Sequence, residues 1–274
     1  MEMSKEEKEA RFKENVKNLF ESNAKKMLEN VQNGKAVFLP SEKALENVKG
    51  ENSPLVRYPH LVRKAVDGKP VTGMTQILAQ QALWDMKIDS KGNNFDIITY
   101  GQVNKIGSVL VKDETGRLPE KIRLPLLNEK GEAGYYDVYS AKDVKEQNLL
   151  PKLPARRNYT LQEYRTENGN IEEYLGKYLA AASQGAKFIT TKKIAREFKA
   201  NFAKELSEQI EKKGNYASII EIGKKANEVC RNTLRSKYGR DVENKNEAKL
   251  VQNHKTEKVS EKQPEKNKGF SMAD

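Results

Sequence analysis

Thr99-Tyr100-Gly101-Gln102-Val103, Gly107-Ser108-Val109-Leu110-Val111-Lys112-Asp113-Glu114-Thr115-Gly116, Lys121-Ile122-Arg123-Leu124 and Tyr135-Tyr136-Asp137-Val138-Tyr139-Ser140 follow one another in the middle of this chain. Thr99 stands where a hydroxyl can cap a helix of about two turns that ends near Gly107. Alternating apolar and polar residues then predict strands over 108–112, 121–126 and 135–139, joined by turns over 113–116 and 128–131. A further short strand is expected over 95–98. The result is an α+β fold built on a small curved antiparallel sheet with flanking helices, in which the pleat sends Ile122, Leu124 and Leu126 to one side and Lys121, Arg123 and Pro125 to the other.

Upstream, Gly68-Lys69-Pro70-Val71-Thr72-Gly73 reads as a turn that opens an amphipathic helix through Ile77, Leu78 and Trp84. Trp84 is expected in the core, although its face could also stack on a base. Taken together, the Gly-Lys-Pro turn, the Thr-Tyr-x-Gln helix start, the Val-x-Lys-acidic-x-Gly hairpin and the Tyr-x-Val-aromatic strand resemble, in order, the N-terminal single-stranded-DNA-binding domain of ArdC-type antirestriction proteins. The resemblance covers about the middle third of the chain. It departs where Val71 takes the place of an aromatic and where Gly73-Met74-Thr75 replaces the usual Gly-Ile-Asn.

The chain of 274 residues is 36% hydrophobic and 32% charged, with a mean hydropathy of −0.84, so it can fill a core while remaining strongly hydrophilic. No apolar run is long enough to cross a bilayer and no signal-peptide pattern opens the sequence, which leads to the expectation of a cytoplasmic protein without a membrane partner. A single cysteine, Cys230, excludes an intrachain disulfide and reads as a small apolar residue on a half-buried helix face. The net charge of +11 suggests a polyanionic partner. It is unevenly spread: residues 185–239 carry 13 basic and six acidic side chains, whereas 68–184 carry 16 and 15.

Ser4 and Glu7 form a capping-box signature ahead of an apolar stripe through Phe12, Val16, Leu19, Phe20, Met27, Leu28 and Val31, predicting a long helix that ends at Gly34. A short strand over 36–39, a short helix capped by Ser41 and a loop over 51–59 lead to the central block. Beyond 142 the pattern loosens around Pro151, Pro154, Arg156 and Arg157. Helical spacing is then read over 159–182, again through Ile194, Phe198, Phe202, Leu206 and Ile210, and again from Ile219 to Leu234. The organisation expected is an α+β single-stranded-DNA-binding domain over 1–150, a basic helical region over 151–240 and a disordered tail over 241–274.

Enzymatic chemistry has little material here. The chain has two histidines, His60 and His254, and no HExxH, the arrangement by which the metalloprotease-like domain of full-length ArdC-type proteins is expected to hold zinc beside a glutamate base. Carboxylate pairs such as Asp89 with Asp96, or Asp113 with Glu114, read as acidic turn residues before they read as metal ligands. The expectation is no enzyme, no cofactor and no metal. Binding a single strand instead needs cations along the backbone and aromatic faces for the bases. The candidates are Tyr100, Tyr135 and Tyr139 interleaved with Lys105, Lys112, Arg117, Lys121 and Arg123, then Arg156 and Arg157, and a stripe of Lys192, Arg196 and Lys199 at steps of four and three on the downstream helix. The leading expectation is a non-enzymatic single-stranded-DNA-binding protein that protects mobile-element DNA from restriction. The alternative is an accessory factor of a phage or conjugative element whose C-terminal helices dock on a protein partner.

Overall fold

The computed structural model describes residues 4–89, 94–127, 133–153, 162–213 and 215–236. In chain order the helices are α1 (Lys5–Gln32), α2 (Glu42–Glu46), α3 (Gly73–Asp85), α4 (Tyr100–Lys105), α5 (Ile171–Gln184), α6 (Lys192–Lys213) and α7 (Asn215–Leu234). The strands are β1 (Pro54–Arg57), β2 (Ile97–Ile98), β3 (Ile122–Leu127), β4 (Ala133–Ser140), β5 (Glu163–Arg165) and β6 (Lys187–Thr191), and the class is α+β.

Local chemistry sets several boundaries where the sequence places them. Ser4 accepts from the Glu7 N–H while the Glu7 carboxylate accepts from the Ser4 N–H, so α1 opens on a complete capping box. Thr99 and Gln102 repeat the device at α4. Gly107, at a φ of +74°, ends that turn in the left-handed region that glycine adopts without steric cost. Asp113 accepts from the N–H groups of Thr115 and Arg117 and from the Thr115 hydroxyl, which makes 113–117 a side-chain-closed turn.

Two three-stranded sheets form. In the first, β4 is central and antiparallel to both β2 and β3, with Ile122 opposite Val138 and Arg123 opposite Asp137. This is the sheet expected from the central block. Its expected fourth member, 108–112, is reduced to a single bridge between Leu110 and Val144, because Lys145 N–H to Val109 and Val111 N–H to Asp143 are the bonds it makes with its neighbour. The second sheet was not foreseen. β6 sits at its centre, antiparallel to β1 with Pro54 opposite Thr191, and parallel to β5 with Tyr164 opposite Phe188. The loop expected over 51–59 therefore contains a strand, and Tyr164 belongs to β5 and not to a helix over 159–182. The strand expected over 36–39 is instead a turn, although Phe38 and Leu39 are buried.

The main core is aromatic and gathers residues from Phe38 to Phe202. Tyr174 stacks on Phe198 with ring centroids 4.1 Å apart and meets Phe188 edge-on at 5.1 Å. Phe38 contacts Tyr178, Phe198 and Phe202. Their phenols are satisfied by main chain: Tyr174 donates to the Phe38 carbonyl at 3.2 Å and Tyr178 to that of Val37 at 3.1 Å. Burial pushes the Tyr178 hydroxyl up to about 12. Close helix approach completes the core, since a β-carbon on Gly176 of α5 would lie 2.6 Å from Val229 of α7.

The described residues up to Arg231 belong to one compact unit. Within it β1 pairs with β6, α1 packs on α6, and the 36–39 turn accepts from the α5 tyrosines, contacts that run across position 150. The expected tail over 241–274 lies outside the described residues.

Candidate nucleic-acid interface

The sheet's Arg123 face is a compact polar cluster. Asp137 takes Arg123 through two bonds, 2.7 Å from Nε and 3.0 Å from Nη2, and Lys121 at 3.0 Å. The guanidinium beside it, helped by Lys121 and opposed by partial burial, holds the Asp137 carboxyl down at about 2. The Arg123 guanidinium also lies 4.5 Å over the Tyr135 ring, and that ring stacks on Phe12 of α1 at 5.5 Å. Lys121, Arg123 and Tyr135 are thus brought together as expected, but one carboxylate offsets part of their charge and Phe12 covers one face of the half-buried tyrosine.

Tyr139, expected to offer a ring to a base, is 8% exposed. It belongs to a buried cluster with Ala65, Ile98, Val103, Leu110, Ala141, Val144 and Leu150. It shares a pleat face with Tyr135, yet pairing with β2 and the cover of α4 and the 108–112 segment turn its end of that face into core.

Tyr100 behaves otherwise. It opens α4 half-exposed, at 50%, and Lys105 closes the same helix on the surface. The adjoining segment carries exposed Lys112 and Arg117, with Val109 and Val111 outward on either side of buried Leu110. The Leu110–Val144 bridge sets Val109 opposite Lys145. Lys105, Lys112 and Arg117 form no salt bridge with a carboxylate among the described residues, so their charge is available to an outside anion, whereas the charge of Lys145 acts on the Glu146 carboxylate beside it. Ser108 and Glu146 brace the segment from beneath: the Ser108 hydroxyl donates to the Glu146 carboxylate, which lies below its usual range for that reason first.

The downstream stripe is divided. Arg196 is held to Glu51 at 2.8 Å and Lys199 to Glu42 at 2.9 Å, because α2 and the turn before β1 lie against α6; Lys192, half-buried, has no such partner among the described residues. Arg156 and Arg157 lie outside the described residues. The Gly68–Thr75 turn instead borders a cavity of about 280 Å³ lined by Tyr136, Thr75, Asn227 and two exposed lysines, Lys64 and Lys224, again without carboxylate partners among the described residues. These two were not singled out from the sequence. They are far apart in the chain, and their convergence depends on α7 meeting the start of α3, where a β-carbon on Gly223 would lie 2.7 Å from Met74.

Two of the carboxylates weighed as metal ligands, Asp96 and Asp113, have structural partners. Asp96 pairs with Arg63, and Asp113 closes its own turn. Among the described residues no group of three or more His, Cys, Asp or Glu is placed to hold a metal ion, and no helix is long and apolar enough to cross a membrane. Burial pushes the Cys230 thiol up to about 11, which keeps it a neutral, poorly nucleophilic group.

No protein-family model matches the sequence, and no curated protein matches it. A similar solved structure is the metal-free crystal structure of the antirestriction protein ArdC from plasmid R388. The two chains are 10% identical, the match covers 79% of this chain and 97% of that one, and the TM-score is 0.43.

Proposed function

We propose that this chain is a non-enzymatic protein of the cytoplasm that binds single-stranded DNA. The observation that carries the reading is the stretch from α4 to Arg117, where Tyr100 is half-exposed and Lys105, Lys112 and Arg117 are exposed without a salt bridge to a carboxylate among the described residues. An aromatic face stacks on any base and a line of cations follows any phosphate backbone, so such a surface binds a strand with little sequence preference. The order of motifs from the Gly-Lys-Pro turn to the Tyr-x-Val strand supports a more specific role, the shielding of a mobile element's single strand from host restriction.

A second reading, in which the same surface docks a protein strand, is favoured by the outward Val109 and Val111 and by Leu118, all of them 46–53% exposed. Titration of a labelled thymidine oligonucleotide and of a duplex of equal length, each at two salt concentrations, tests both. Tighter binding of the single strand with steep loss at high salt is the result expected. Equal affinity for the two, or no binding at low salt, would overturn it and leave the protein-docking reading.

A further inference from the structure

Trp84, the chain's single tryptophan, is 58% exposed instead of buried in the core. It does not stand alone. Together with Tyr58, itself 41% exposed, it lines a cavity of about 100 Å³ whose other walls include Arg57, His60, Gln80 and Phe95. The floor is fixed. Gln80 is 2% exposed, donates to the His60 carbonyl, and shares the Tyr178 hydroxyl proton with the Val37 carbonyl, its Oε1 lying 3.0 Å from that hydroxyl; the His60 ring lies against Phe95 at 5.6 Å.

Arg57 supplies the charge. Its guanidinium is half-buried, donates to the Leu39 carbonyl, and has no carboxylate partner among the described residues. Its positive charge is felt inside the fold, where it acts to lower the Tyr174 and Tyr178 hydroxyls against the larger effect of their burial. A cation held partly away from water without a counterion is costly, and an arriving anion offsets that cost. A tryptophan, a tyrosine and such a cation thus border one cavity of about 100 Å³, and these are the side-chain types that take a flat ring and a negative charge.

We propose that this pocket receives one base of a bound single strand, its ring against Trp84 and Tyr58 and its phosphate on Arg57. The proposal rests on the reading of the protein as a single-strand binder and adds a second stacking position on a different part of the fold from Tyr100. The solitary tryptophan makes it directly readable. Unlabelled thymidine oligonucleotide is added while Trp84 emission is followed, and in parallel the anisotropy of the same oligonucleotide carrying a label reports binding itself.

The result expected is quenching of Trp84 that saturates along the anisotropy curve. Trp84→Ala should weaken binding about tenfold with unchanged thermal unfolding, Trp84→Phe should restore most of it, and Arg57→Gln should weaken binding and flatten its salt dependence. Normal anisotropy with unchanged Trp84 emission and a normally binding Trp84→Ala variant would overturn the pocket while leaving single-strand binding intact. Absence of an anisotropy change would overturn both. Quenching by an acidic tyrosine-containing peptide and not by the oligonucleotide would also overturn the proposal, and would assign the pocket to a protein partner.

Discussion

Arg63 and Asp96 form a buried, two-bonded ion pair, Nε to Oδ1 and Nη2 to Oδ2, each 3.1 Å, with side chains 6% and 0% exposed. The pair joins the segment that enters the Gly68 turn to the start of β2, and main-chain bonds run beside it from Ile97 N–H to the Arg63 carbonyl and from Ala65 N–H to the Ile97 carbonyl. Removing one member strands the other charge in the interior. Arg63→Leu is expected to cost about 3–5 kcal/mol of folding free energy. Arg63→Leu with Asp96→Leu should cost less than Arg63→Leu alone. Urea unfolding of the two variants checks this, and a double variant no more stable than the single one would contradict it.

Asp137 gives the protein an acid-sensitive element. Its carboxyl is held at about 2 by Arg123 first and Lys121 second, against an ordinary value of about 3.9 in an unfolded chain. A depressed folded-state value contributes stability that is present above pH ~3.9 and is lost as the pH falls through 4 toward 2. Because the site is partly open to solvent, the contribution expected is of the order of 1 kcal/mol. The melting temperature of Asp137→Asn should therefore lie below that of the parent at pH 6, and the gap should narrow steadily as the pH falls from 4 to 2. A gap that is constant with pH would exclude the mechanism.

Tyr100 and Tyr139 should fail in different assays. Tyr139→Ala empties a buried site and is expected to destabilise by about 3 kcal/mol or more. Tyr100→Ala removes an exposed ring, leaves stability within about 0.5 kcal/mol, and weakens single-strand binding by about 1–3 kcal/mol. Measuring thermal unfolding beside oligonucleotide affinity separates the two. A Tyr100→Ala protein that binds normally would remove this residue from the interface.

Cations on the two surfaces should differ as well. Lys105, Lys112 and Arg117 have no internal carboxylate partner among the described residues, whereas Arg196 and Lys199 are paired with Glu51 and Glu42. Changing the first three together to Ala should lower the slope of log affinity against log salt by about 0.7 for each phosphate that is no longer neutralised. Arg196→Ala with Lys199→Ala should change that slope little. The reverse ranking would place the strand on α6.

Close helix approach offers a purely structural test. At Gly176 a new β-carbon would meet Val229 of α7 at 2.6 Å, within a branched side chain held by its own helix. Gly176→Val is expected to destabilise by about 1–3 kcal/mol through overpacking. Val229→Ala in the same chain should recover part of that loss, and equilibrium unfolding of both variants measures it.

What the sequence made legible is local. Capping at Ser4, Ser41 and Thr99, the 113–116 turn and the β3–β4 pairing each depend on residues close together in the chain, and each lies where the residue pattern puts it. The β1–β6–β5 sheet was not legible. β1 is four residues long, opens on a proline with another just beyond its end, and gains its partner from residues beyond 186, so no local alternation marks it. Tyr139 and Trp84 exchanged their expected environments for a related reason: a strand or helix pattern says which face a ring is on, but burial depends on what is packed there from elsewhere. The pairing of Arg196 with Glu51 and the convergence of Lys64 with Lys224 are long-range in the same sense.

The antiparallel register that sets Pro54 against Thr191 also orders events during synthesis. A ribosome that has already made β1 must translate through α5 and β6 before that strand finds any hydrogen-bonding neighbour in its sheet. Until then Leu55 and an unpaired strand edge are open to other nascent chains. Pairing across so long a separation slows folding relative to helix formation nearby, so incomplete products that stop short of residue 187 should accumulate as aggregates or as chaperone-bound chains.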